Sequence, residues 1–167
     1  MVKRLHGAML SSGLLVLAAI VVAGIAAWQL VCPCERIPGG YLLGSEIKTP
    51  VVDWSFANDV PLCQIQVNAG LLPHSVNLNC MASRGELYLS CSACDGKRWS
   101  AAVLTRPEAR LRVGDAVYPV RVSRLRDPDI LDRAWKARAI KLGRPQDDPR
   151  PDHWWSFRVE SRQGSSG

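Results

Sequence analysis

The sequence predicts a mainly β domain, a small barrel with helical additions, behind one N-terminal membrane-spanning helix. Three observations lead there. Short segments of alternating apolar and polar residues recur between Gly, Pro and Asn turns after position 50. Two stretches among them carry helix start and stop signals. Ahead of them lies a long apolar run without a charge.

That run comes first in the chain. Between Arg4 and Glu35 there is no Asp, Glu, Lys or Arg. Residues 7–31 are mostly Ala, Val, Leu, Ile and Gly, and about 20 such residues span a bilayer core. Lys3 and Arg4 precede the run, so the positive-inside rule puts the N-terminus in the cytoplasm and the domain on the non-cytoplasmic side. Trp28 falls where an indole sits at the far interface. A cleaved signal peptide is the rival reading, with 24–26 as a small-x-small site. Cys32 and Cys34 raise a lipoprotein as a third, against which stand Val31 and Pro33 in front of them. All three export the domain.

The expected divisions are 1–31 for the cytoplasmic start and anchor, 32–50 for a Pro/Gly-rich linker, 51–162 for the domain and 163–167 for a disordered tail. About 130 residues behind the anchor suit one compact domain. The chain carries +6, and setting Lys3 and Arg4 aside leaves 19 basic and 15 acidic residues. That mild excess suits an anionic ligand or lipid headgroups, and equally an ordinary solubility surface. No nucleic-acid partner is expected.

Within the domain, 63–67 alternates, 70–74 reads as a turn, and 75–81 alternates with Val76, Leu78 and Cys80 on one face. Arg84-Gly85 turns the chain into a strand over 87–90, which makes a hairpin. A second hairpin joins 110–113 to 117–122, with Leu111, Val113, Val120 and Val122 inward and Arg110, Arg112 and Arg121 outward. A short helix is expected over 97–105, ending before Pro107. A longer one starts at Asp127-Pro128, an N-cap followed by proline at the first helical position, and runs to Leu142 before Gly143. Ile130, Leu131, Ala134, Trp135 and Leu142 mark its apolar face. A last strand is expected over 154–159. No internal repeat is present.

Lys97 and Arg98 at a helix start form the best anion site in the sequence, since free amide groups and the helix dipole favour an anion there. Residues 97–126 hold eight Lys or Arg and two acids. The alternative is a solvated face. Trp99 reads as core or as a ring-stacking residue. There is no paired His spacing for zinc and no Ser-His-Asp order, so no metal site is expected. Cys91 and Cys94 stand two residues apart. Haem attachment would need a His where Asp95 stands. A disulfide, free thiols, and a metal or redox role with Cys63 and Cys80 stay open, as does the pairing.

The stretch 75–143 resembles the split β-barrel flavin-binding superfamily, which includes pyridoxamine-phosphate-oxidase-like proteins and deazaflavin-dependent nitroreductases. The residues that carry the resemblance are the strands 74–77 and 85–90, the basic-aromatic helix start at Lys97, Arg98 and Trp99, and the segments 106–114 and 117–122. The resemblance covers about half of the chain. It implies a split β-barrel, FMN or a related flavin as cofactor, and oxidoreductase chemistry carried by that cofactor. It implies that Lys97, Arg98, Ser90 and Ser92 hold a cofactor phosphate, with Trp99, Ser75 and Asn77 beside it. It also implies a homodimer that completes the pocket. The Gly- and Arg/Lys-rich segment that precedes the barrel in deazaflavin enzymes has no match here. The expected function is therefore that of a flavin-binding, anchored oxidoreductase, or alternatively of a non-enzymatic accessory subunit of a membrane or envelope complex.

Overall fold

The structure, a computed structural model, describes residues 3–30, 38–91 and 93–163, with the side chains of the first helix described over 13–27. Cys32, Cys34, Ser92 and residues 164–167 lie outside the described residues, as does the side chain of Trp28.

Helix α1 (Lys3–Leu30) is 28 residues long, about 42 Å at the α-helical rise. Its described side chains are apolar and exposed, among them Leu14, Leu17, Val22 and Ile25. Among the described residues no helix is long and apolar enough to cross a membrane.

Among the described residues seven strands follow: β1 (Ser45–Glu46), β2 (Cys63–Asn68), β3 (Pro73–Ser83), β4 (Glu86–Cys91), β5 (Glu108–Val113), β6 (Ala116–Arg124) and β7 (Trp155–Ser161). The neighbours run β6-β5-β2-β3-β4-β7, and β7 pairs back onto β6, so six antiparallel strands close a barrel. The free edge of β6 is shared. Two-residue β1 lies parallel to it at Ala116 and Val117, and β7 takes it over from Val120 to Arg124.

Both expected hairpins form. Arg84 and Gly85 both have positive φ, the conformation of a tight two-residue hairpin turn. Alternation then sorts the side chains. Ile65, Val67, Leu78, Leu87, Leu89, Leu111, Val113, Val120, Val122, Phe157 and Val159 fill the barrel. Helix α2 (Arg98–Thr105) closes one mouth with Trp99 and Val103. A single turn of 3-10 helix (Ser55–Asn58) closes the other with Trp54 and Ala57, and Trp54 packs edge-on against Tyr118 at 5.1 Å.

Helix α3 (Pro128–Lys141) covers the outer face of β3, β4 and β7. Asp127 caps it, its carboxylate accepting from the amides of Asp129 and Ile130. Leu131, Ala134 and Ala137 meet Met81, Tyr88 and Trp154 in a second apolar layer. Leu142 departs from expectation. It is the C-cap, 40% exposed, because the helix ends at Lys141 and Gly143 turns left-handed. Ile130 and Trp135 are half-buried at the layer's edge.

Part of the expected linker is held against the outer wall. Gly39 exchanges two main-chain hydrogen bonds with Ser75, Leu42 is buried, and the Leu42 amide donates to Gln66 Oε1 at 2.8 Å. This arm half-buries Arg110, whose guanidinium donates to Leu42 O, Gln66 Oε1 and Glu46. Arg110 does face outward from the barrel, but under the arm rather than into solvent.

Candidate functional site

Two regions bear on ligand binding: the start of α2, where the sequence places an anion, and a cleft beside α3.

The chain leaves β4 at Cys91 and reaches α2 through a short loop. Cys91 and Cys94 form a disulfide across that loop, with Cα atoms 5.4 Å apart. Ser100 braces it by donating its hydroxyl to the carbonyls of Cys94 and Lys97. Lys97 is the N-cap of α2, extended and without a side-chain cap. The second disulfide joins Cys63 to Cys80 on the inner face of neighbouring strands, Cα atoms 5.7 Å apart. Cys63 stands opposite Leu78, so Cys80 is its diagonal neighbour. Among the described residues no group of His, Cys, Asp or Glu is placed to hold a metal.

The residues expected around a phosphate do not converge. Lys97 is exposed. Arg98 turns away along the barrel mouth and donates to Ala69 O at 2.6 and 3.2 Å. Trp99 is 2% exposed and packs on Phe157, ring centres 4.9 Å apart, which gives it the core role. Its indole N–H has no acceptor among the described residues. Ser90 points the other way: alternation puts Leu89 and Cys91 inside the barrel and Ser90 on the outer wall, where its hydroxyl faces Met81 Sδ. Ser75 and Asn77 share the outer wall of β3. Ser75 is fully buried under the arm, its hydroxyl without a partner among the described residues, and Asn77 accepts from Gln64 Nε2 at 2.9 Å. Ser92 lies outside the described residues. Among the described members of this set, Ser90, Ser75 and Asn77 lie on the outer wall, Arg98 is turned to the Ala69 carbonyl and Trp99 is in the core.

His74, at the start of β3, is half-buried; burial, and then the charge of Arg98, lower its pKa below the usual histidine value.

The second region was not singled out in the sequence. A cleft of about 350 Å³ opens between α3 and the β3–β4 turn. Arg84 comes from the turn, and Arg133, Lys136 and Lys141 from one face of α3. Arg133 donates to Glu86 at 3.2 Å, and Glu86 also binds Arg158 at 2.9 Å and accepts from Tyr88 Oη at 2.5 Å. Burial, then that carboxylate, raise the Tyr88 pKa. Lys141 donates to Cys80 O at 2.6 Å and Ala57 O at 2.7 Å, and burial lowers its pKa against the weaker opposing pull of Asp59. The available sequence signal was the run of cations at positions 133, 136 and 141 of a helix, three and five residues apart and all on one side.

No protein-family model matches the sequence, and no curated protein matches it. Solved structures do match. A candidate pyridoxamine 5'-phosphate oxidase from Listeria innocua superposes with a TM-score of 0.51 at 15% identity, over 65% of this chain and 89% of that one. A candidate 5-nitroimidazole antibiotic resistance protein from Bacteroides thetaiotaomicron gives 0.53 at 11% identity, over 69% and 83%. A conserved hypothetical protein from Mycobacterium tuberculosis gives 0.51 at 15% identity, over 64% and 76%. At such identities the likeness is one of fold: a mainly β, six-stranded split barrel with helical additions.

Proposed function

We propose that this chain is a membrane-anchored split-barrel protein, its barrel on the non-cytoplasmic side, that binds FMN or a related flavin as an oxidoreductase. The observation that carries the reading is the six-stranded barrel with helical additions, whose fold is similar to those of the candidate oxidase and the candidate nitroimidazole resistance protein. The anchor rests on α1. Residues 14–17 are Leu, Leu, Val and Leu, and four consecutive helical residues point to every side. Each is more than half exposed, and a helix apolar all round needs a buried or lipid surrounding.

A second reading, a non-enzymatic accessory subunit of an envelope complex, is favoured by the scatter of Lys97, Arg98 and Ser90. The absorption spectrum of the full chain purified in detergent, followed by FMN titration, separates the two. Flavin bands or saturable FMN binding support the oxidoreductase, and a clean protein spectrum without FMN binding supports the accessory subunit. A reporter active only outside the cytoplasm, fused after Gly167, should be active. Activity from a cytoplasmic reporter alone would overturn the placement.

A further inference from the structure

The cleft beside α3 has the composition of an anion site. Positions 133, 136, 137, 140 and 141 fall on one helical face, each with a neighbour in the set three or four residues away. Three of the five are cations, and Arg84 adds a fourth from across the cleft. No Asp or Glu lines it. Arg133 is compensated by Glu86 and Lys141 is drawn by Asp59, so the uncompensated positive charge of the cleft is that of Arg84 and Lys136.

The frame is fixed by bonds already made. Asn58 is held by the Ala82 main chain, accepting from its amide at 2.8 Å and donating to its carbonyl at 3.1 Å. Arg133 is held by Glu86, and Lys141 by the Cys80 and Ala57 carbonyls. The side chains of Arg84 and Lys136 make no hydrogen bond or ion pair with any described residue. Two anchored cations thus stand behind two uncommitted ones. Ala137 and the 61% exposed Ile140 supply an apolar patch on the same face.

We infer that this cleft binds a phosphate or diphosphate group carried on an apolar organic body, Arg84 and Lys136 holding the phosphate and Ile140 the apolar part. Its volume falls at the small end of ligand pockets, which run from about 300 Å³ upward. The inference stands whether or not the barrel takes a flavin.

The test is titration of inorganic pyrophosphate into the full chain in detergent, by calorimetry. Arg84→Asn is the variant of choice at the turn, because Asn tolerates the positive φ of 54° that Arg84 adopts. Combined with Lys136→Gln it should weaken binding by about tenfold or more. Lys136→Arg alone should keep it, and so should Lys97→Ala with Arg98→Ala. An unchanged urea midpoint in each variant confirms that the fold is intact. Phosphatidic acid in mixed micelles as competitor identifies the source: displacement of pyrophosphate assigns the phosphate to a lipid headgroup, and no displacement to a soluble ligand. No saturable pyrophosphate binding by the wild type, or equal affinity in the Arg84→Asn, Lys136→Gln variant, would overturn the assignment. Loss of binding in the Lys97, Arg98 variant instead would overturn it too.

Discussion

The ammonium of Lys141, at the last turn of α3, donates to the main-chain carbonyl of Cys80 in β3 at 2.6 Å. One side chain thus ties the outer helix to the disulfide-bearing strand of the barrel, and its other protons reach Ala57 O and Cys80 Sγ. Lys141→Met keeps the stem and removes the donors. Hydrogen bonds to charged groups contribute roughly 1.5–3 kcal/mol when buried, and this head is only half-buried. The expected loss is about 1–2 kcal/mol, read as a lower urea midpoint at unchanged slope.

The Cys63–Cys80 disulfide closes a loop with a sequence separation of 17. Chain-entropy arguments give about 3 kcal/mol for a loop of that size. Replacing both cysteines by alanine should cost that much or somewhat more, since two packed sulfurs are lost as well. Urea unfolding of the oxidised protein and the double variant measures it. Alkylation without reductant, followed by mass spectrometry, should leave Cys63, Cys80, Cys91 and Cys94 unlabelled.

Trp99 distinguishes a core residue from a ring-stacking one. As core, Trp99→Ala should destabilise by about 3–5 kcal/mol. Trp99→Phe should be milder, about 1 kcal/mol or less, because the cavity it opens is offset by removal of an indole N–H that is buried without an acceptor. If FMN binds, its affinity for the Trp99→Phe variant should match wild type. A large loss of affinity with normal stability would contradict the core role.

His74 gives the stability a pH dependence. Its folded-state pKa lies below the ordinary value of about 6.5, from burial first and Arg98 second. The unfolded chain therefore binds more protons in the window just below pH 6.5, and stability rises with pH through it. Above pH 6.5 this contribution is complete, and on acidification it is lost until pH falls below the folded pKa. His74→Gln should show a smaller drop in urea midpoint between pH 7.5 and 5.5 than wild type. An equal drop in both would assign the dependence to other groups.

What the sequence settled by itself is the local part of this protein. The Arg84-Gly85 turn, the alternation on either side of it, the Asp127 cap and the stop at Gly143 all depend on φ angles and hydrogen bonds within a few residues. Any window that contains them contains their cause. Even the outward aim of Ser90 follows from the alternation of β4, once its neighbours Leu89 and Cys91 are known to face in. The choice among cysteine pairings, the burial of Trp99 and the covering of Arg110 by the arm needed the tertiary structure. So did closure of the barrel, which sets Gln64 opposite Arg112 and Val122 opposite Val159. Those pairings join segments far apart in the chain, and their register is set by which faces bury together rather than by any local signal. The basic cleft has the same origin. A hairpin turn and a helix face meet there only because α3 packs on the outer wall of the barrel, so neither Arg84 nor Lys136 announces the other in the sequence.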